Sequence, residues 1–205
     1  MKRTHLIFLG LILTSLIAIL TGLISGSADI NLNELWFLLI ENNSSGINTL
    51  IMELRLSRVL SAFAVGGLLS ISGVLMQVLL KNPLAEPYIL GTSGGAAVAA
   101  LLAMSFGLST VWVDTAAFSG ALGATFLVFG IASSSGNWRP SQLILTGVVL
   151  ASGFSAITTM ILAISTEQSI RGMLFWMMGD LSFAYSPQHL LWLLIITVLI
   201  TMSAA

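Results

Sequence analysis

Long uncharged stretches alternate with short polar breaks along the chain. Apolar runs occupy residues 4–28, 59–80, 87–113, 115–138, 140–166 and 181–205. A helix needs about 20 residues to cross roughly 30 Å of hydrocarbon, so the pattern predicts six membrane-spanning helices. The run at 172–179 is too short to cross, and its Phe175 and Trp176 suit an element lying at the membrane interface. Residues 29–54 are polar. Within them Asn42, Asn43, Ser44, Ser45 and Gly46 give a loop signal, and 35–40 has room for a short surface helix. The expected fold class is an all-α integral membrane protein, a polytopic helical bundle.

Composition strengthens that expectation. Of 205 residues, 57% are hydrophobic and 7% charged, whereas soluble chains carry about 25% charged residues. Mean hydropathy is +1.03. The few charges also set an orientation. With the N-terminus cytoplasmic, the inner segments hold Lys2, Arg3, Lys81 and Arg139 against the single acid Glu86. The outer ones then hold Asp29, Glu34, Glu41, Glu53, Asp114, Glu167 and Asp180 against Arg55, Arg58 and Arg171. This is the positive-inside distribution. Trp36, Trp112, Trp176 and Trp192 fall near the outer boundary and Trp138 near the inner, as an aromatic belt requires. Lys2 and Arg3 before an apolar run also resemble a secretory signal, but the stretch 6–24 exceeds a usual signal core. A retained first span is expected.

Small residues recur four apart inside the runs. Ala62, Gly66 and Ser70 form one stripe; Gly91, Gly95, Ala99 and Ala103 a second; Ala116, Gly120 and Ala124 a third; Gly147, Ala151 and Ser155 a fourth. Such stripes let helix backbones approach closely where lipid supplies no hydrophobic drive between helices. No acidic or basic residue lies deep in a run, which disfavours a proton- or ion-coupled carrier. The chain has no phosphate-binding G-x-x-x-x-G-K-[ST] loop. Any nucleotide hydrolysis is therefore expected in a partner, and the chain itself is read as a non-enzyme. With no cysteine, disulfides and thiolate metal sites drop out. No cofactor, resident metal or nucleic-acid partner is expected.

The densest motif cluster runs from Arg55 to Ala97. It contains R-L-S-R at residues 55–58, S-G-V-L-M-Q at 72–77 and N-P-L-A-E-P-Y-I-L-G-T-S-G-G-A at 82–96. W-M-M-G follows at 176–179 after Arg171, and L-T-G at 145–147. In these elements, with the first three standing in the family's order, the chain resembles the FecCD/BtuC-like permease family of type II ABC importers for ferric siderophores, haem and vitamin B12. The resemblance covers the chain from about residue 50 onward. It implies a ten-helix, BtuC-like permease of the bacterial inner membrane, of which residues 1–205 are an N-terminal six-span portion with 29–54 as a periplasmic loop and the C-terminal part of the domain missing. The implied partners are ATP-binding cassette ATPase subunits, a periplasmic or lipid-anchored substrate-binding protein, and a second permease copy, all in a lipid bilayer. On the cargo most common among such relatives, an iron chelate (ferric siderophore or haem) ranks ahead of vitamin B12.

The resemblance also implies site residues. Arg55 and Arg58 would dock the binding protein through charge-assisted pairs; the alternative is that they snorkel or pair with Glu53 or Glu41. The family has proline where this chain has Ser57. Asn82 and Leu84, with Pro140 and Ser141 opposite, would form the cytoplasmic gate, or else the loop is a rigid turn set by Pro83 and Pro87. At Pro140 relatives commonly carry a hydroxyl residue. Thr146, Ser152, Ser155 and Thr159 of the fifth span would line the translocation path, unless such hydroxyls bond only to their own helix. A large chelated cargo suits a wall with few strong binding groups, because tight holding stops conduction.

A rival from another class is an intramembrane serine protease. Gly91, Thr92, Ser93, Gly94 and Gly95 match G-x-S-x-G. Such chemistry needs a base within hydrogen-bond reach. Of the two histidines, His5 precedes the first span and His189 falls at the outer mouth of the sixth, about a bilayer thickness (roughly 30 Å) from Ser93 near the inner surface, and the protease reading is disfavoured.

Overall fold

A computed structural model of the chain describes residues 2–25, 54–133, 139–181 and 188–203. Most of the expected 29–54 loop, with Trp36, and also Trp138 lie outside the described residues. Every regular element described is helical: α1 (Lys2–Ile24), α2 (Ser57–Leu80), a 3-10 turn (Pro87–Leu90), α3 (Thr92–Ser105), α4 (Thr110–Ser133), α5 (Pro140–Ile164), α6 (Glu167–Met178) and α7 (Gln188–Ser203). Four of these segments, His5–Ile24, Leu54–Leu80, Thr110–Ser133 and Pro140–Ile164, are long and apolar enough to cross a membrane. Their outer surfaces are apolar too, with Leu11, Ile17, Phe118, Phe126 and Val149 all exposed. That surface belongs in lipid.

The third and fourth expected spans differ from the sequence pattern. Residues 87–113 are not one helix. The 3-10 turn is followed by Gly91 at φ 69°, and α3 then runs for 14 residues, about 21 Å. It stops at Gly107, whose φ of 68° turns the backbone left-handed. There the Gly107 amide donates to the Met104 carbonyl (2.9 Å) and the Leu108 amide to that of Ala103 (3.1 Å), closing a Schellman cap. The next helix begins at Thr110, so Asp114 sits inside α4 rather than between spans. An acidic residue near a helix N-terminus suits the helix dipole and need not break the helix.

The structure forms two compact units: residues 1–68 with 181–205, and residues 69–180. In the first, Leu23 of α1 packs with Ile19, Ile24, Leu56 and Val59. Gly22 lies against Val59, and Gly67 against Leu194 of α7. In the second, α3 and α4 form an antiparallel pair through two of the predicted stripes. A Cβ at Gly95 would sit 2.5 Å from both the Ala124 Cβ and the Gly120 carbonyl oxygen. A Cβ at Gly120 would collide with the Gly95 carbonyl oxygen and lie 2.6 Å from the Ala99 Cβ. The stripe on α5 meets the 3-10 turn: a Cβ at Gly147 would strike the Ile89 carbonyl oxygen. The Ala62, Gly66 and Ser70 stripe is exposed.

Candidate functional site: a hydroxyl-lined cleft and two polar ends

The second unit is organised around the approach of α3, α5 and α6. Helix α6 starts where Thr166 is extended and its carbonyl accepts from the Ser169 and Ile170 amides (2.9 and 3.0 Å). Glu167 in the first turn complements the helix N-terminus. The helix is seated by Met173, fully buried with Leu101 and Ile161. Phe175 on the same helix is exposed, but Trp176 is half-buried against the cluster of Ala100, Ala103 and Val113. Trp176 therefore faces the helix bundle rather than the belt of exposed tryptophans expected from the sequence.

Between these elements opens a cleft of about 530 Å³, lined by residues of α3 (Ser93, Gly94, Ala96, Ala97), α5 (Ala151, Ser155, Thr158) and α6 (Trp176, Met177). The small α3 residues make room for it, and a Cβ at Gly94 would lie 2.8 Å from that of Phe154. The α5 hydroxyls divide into two kinds. Ser152 donates to the Val148 carbonyl and Thr159 to that of Ser155, each at 2.9 Å. Both are exposed and neither lines the cleft. Ser155 and Thr158, with Ser93 across from them, line the cleft without a hydrogen bond to their own helices. Thr146 is half-buried beside Gly147, away from the cleft.

Of the four predicted lining residues, the structure thus brings Ser155 to the cleft. Thr158 and Ser93 join it without having been singled out for lining. Spacing carried a signal for the first: Ala151, Ser155 and Thr158 are four and three apart, one face of a helix. Among the described residues, no titratable side chain lines the cleft. None of the described lining residues is a base that could activate Ser93.

The loop after α2 is stitched tightly. Lys81 takes a left-handed φ of 50°, its amide donates to Val78 (3.3 Å), and the Asn82 amide donates to Gln77 (3.1 Å), a second Schellman cap. Asn82 then accepts from the Leu84 amide through its side-chain oxygen at 2.9 Å, and its carbonyl accepts from Ala85 at 3.1 Å. Leu84 is left 84% exposed while Ala85 is buried. At the start of α5, Pro140 takes the first helical position after the extended Arg139, whose carbonyl accepts from Gln142 and Leu143. Pro140 is half-buried and Ser141 exposed. Ala85 and Leu143 share one hydrophobic cluster with Met76, Leu80, Val128 and Ala132. The two halves of the expected gate are thereby anchored to the same packing.

In the first unit the two arginines of R-L-S-R part company. The Arg55 guanidinium is half-buried and donates from Nη1 to the carbonyls of Leu23 (3.2 Å) and Ile24 (3.4 Å). Arg58 is exposed and makes no hydrogen bond among the described residues.

The chain is similar to proteins of known role. It is 34% identical over 184 residues to the vitamin B12 import system permease protein BtuC of Yersinia enterocolitica, covering 88% of this chain and 52% of that one. To the cobalamin import system permease protein BtuC of Halobacterium salinarum it is 38% identical over 129 residues, 62% of this chain and 35% of that one. A solved structure, described as an inward-facing conformation of an ABC transporter provisionally assigned to the metal-chelate type, superposes with a TM-score of 0.74 at 31% identity, covering 94% of this chain and 59% of that one. The chain spans about half the length of the first of these relatives. The profile described as the FecCD transport family matches residues 11–205, and by that match the chain belongs to this family of membrane permeases.

Proposed function

We propose that residues 1–205 are the N-terminal portion of the permease subunit of a binding-protein-dependent ABC importer in the bacterial inner membrane. Cytoplasmic ATPase subunits would supply the energy, a binding protein would deliver cargo, and a second permease copy would complete the path. The observation that carries this reading is the α3–α5–α6 cleft, with three hydroxyls unbound to their own helices and no titratable group among its described lining residues. Neutral, weak, multiple contacts let a cargo enter and leave.

For the cargo, cobalamin fits better than the iron chelates ranked first on sequence. The relatives at 34% and 38% identity carry vitamin B12 or cobalamin in their names. In the proposed topology the N-terminus is cytoplasmic, and the loops holding Lys81 and Arg139 face the same compartment, in line with the positive-inside rule. Asn82, Leu84, Pro140 and Ser141 would then border the inner mouth, with exposed Leu84 at its tip. Arg58 would meet carboxylates of the binding protein on the opposite side.

The test is reconstitution of the subunit, extended through its downstream reading frame, with ATPase and binding protein in proteoliposomes. Labelled cyanocobalamin should accumulate only with ATP and the binding protein. Accumulation of a labelled ferric siderophore or haem without cobalamin uptake overturns the cargo assignment. Uptake independent of ATP overturns the importer reading.

A further inference from the structure

We infer that the α3–α5–α6 cleft receives neutral carboxamide groups on the edge of the cargo and disfavours carboxylates. The inference rests on the importer reading above and adds which arm of a large cargo the cleft holds. Thr158 is the central residue. It is 7% exposed, lines the cleft and makes no hydrogen bond among the described residues. A helical threonine can bond a carbonyl three or four residues back, as Thr159 next to it does to Ser155 at 2.9 Å. Thr158 does not, and a largely buried hydroxyl without a partner is destabilising. Its oxygen is nonetheless not sealed in, as that of Ser61 on α2 is. A group entering the cleft can therefore reach it.

Ser155, one turn earlier on the same face, and Ser93 on α3 are also cleft hydroxyls without a hydrogen bond. Each hydroxyl offers a donor and acceptor lone pairs, and a primary carboxamide offers donors on nitrogen and an acceptor oxygen. The set can meet both ends of such a group. A carboxylate only accepts and carries a charge, and none of the described lining residues is a cation. Burying that charge without a counterion is strongly unfavourable. Trp176 and Met177 supply an apolar side of the same cleft, against which the carbon stem of an arm can lie. At about 530 Å³ the space suits a drug-sized group, so a cargo as large as a corrinoid would enter it by a peripheral arm. Corrinoids carry carboxamides on those arms, whereas haem carries propionate carboxylates. Arm chemistry thus separates the two cargo classes.

The test uses the full-length subunit reconstituted with ATPase and binding protein, and compares cyanocobalamin with its monocarboxylic acid derivatives, in which a single arm amide has been hydrolysed. Initial rates are taken with the binding protein saturated by each cargo, so that loading is equal. Wild type should import at least one of the acids about tenfold more slowly than the amide. Ser93→Lys, which adds a cation to the lining, should narrow that ratio by about threefold or more. Thr158→Val, which keeps the shape and removes the hydroxyl, should slow cyanocobalamin about threefold or more, and Thr158→Ser should restore it. Equal wild-type rates for the amide and every acid overturn the inference and leave the importer reading standing. A ratio unchanged by Ser93→Lys, with Thr158→Val transporting like wild type, also overturns it by placing the discrimination outside the cleft. If Thr158→Val fails to fold, the wild-type ratio and Ser93→Lys decide alone. Absence of any ATP-dependent cyanocobalamin uptake overturns the cargo reading itself, and the inference with it.

Discussion

Gly120→Ala is the sharpest test of how the second unit is held together. The added methyl would collide with the Gly95 carbonyl oxygen and lie 2.6 Å from the Ala99 Cβ, where ordinary contact begins at 3.4 Å. Backbone atoms on α3 cannot rotate away, so α3 and α4 must separate by about 0.8 Å at this point, and a gap of that size forfeits a quarter to a half of each local dispersion contact. The contacts at risk include Ala100, Ala103 and Val113 with Met104, Ala116 and Trp176. Overpacking typically costs 1–3 kcal/mol, and a clash with backbone belongs at the upper end, about 2–3 kcal/mol. At about 1.4 kcal/mol per tenfold, the unfolded population should rise roughly 30- to 150-fold. Gly123→Ala is the matched control, since nothing lies within 4 Å of its added methyl. Thermal unfolding of the purified subunit in detergent, followed by circular dichroism, should show Gly120→Ala melting well below wild type and Gly123→Ala beside it. Equal melting of the two variants refutes the close-approach argument.

Three further outcomes are expected. Lys81→Gly should stabilise the subunit by about 1 kcal/mol, because a non-glycine left-handed residue is strained; unchanged or lower melting counts against it. Ser61 on α2 is fully buried and its hydroxyl has no hydrogen-bond partner among the described residues. Ser61→Ala should therefore be neutral or stabilising by up to about 1–3 kcal/mol, and a large loss of melting temperature would show that the hydroxyl has a partner after all. In the uptake assay, Ser155→Val with Thr158→Val should slow transport at least several-fold while Ser152→Ala does not; equal effects would place the path elsewhere.

Much of the fold was legible in the sequence because lipid imposes a simple rule on composition. The stripes Gly95–Ala99 and Ala116–Gly120–Ala124 predicted close helix approach, and they meet each other. The apolar run from 87 to 113 hid two breaks because Gly91 and Gly107 interrupt a helix through backbone conformation, which leaves hydropathy unchanged. Asp114 misled in the opposite sense: a charge marks a helix end only loosely when the helix starts at the membrane surface. The cleft was harder still. Which hydroxyls of α5 turn toward it depends on the rotation of α5 relative to α3 and α6, and periodicity fixes a face without naming its neighbour. Hence Ser152 and Thr159, chosen with Ser155 from the same hydroxyl-rich span, bond to their own helix, while Thr158 lines the cleft. The division between Arg55 and Arg58 was likewise invisible, since it depends on where α1 ends.

The described residues of the cleft lining include no titratable side chain, and this has an electrical meaning. If the proposed path runs through this cleft, this part of its wall has no protons to exchange and contributes no charge movement of its own. Voltage acts on a passing cargo only through the cargo's own charge, worth about 2.3 kcal/mol per elementary charge per 100 mV. Under the importer reading proposed above, neutral cargoes would then pass this stretch of the path at rates insensitive to membrane potential, while anionic chelates would be slowed by an inside-negative field in proportion to their charge.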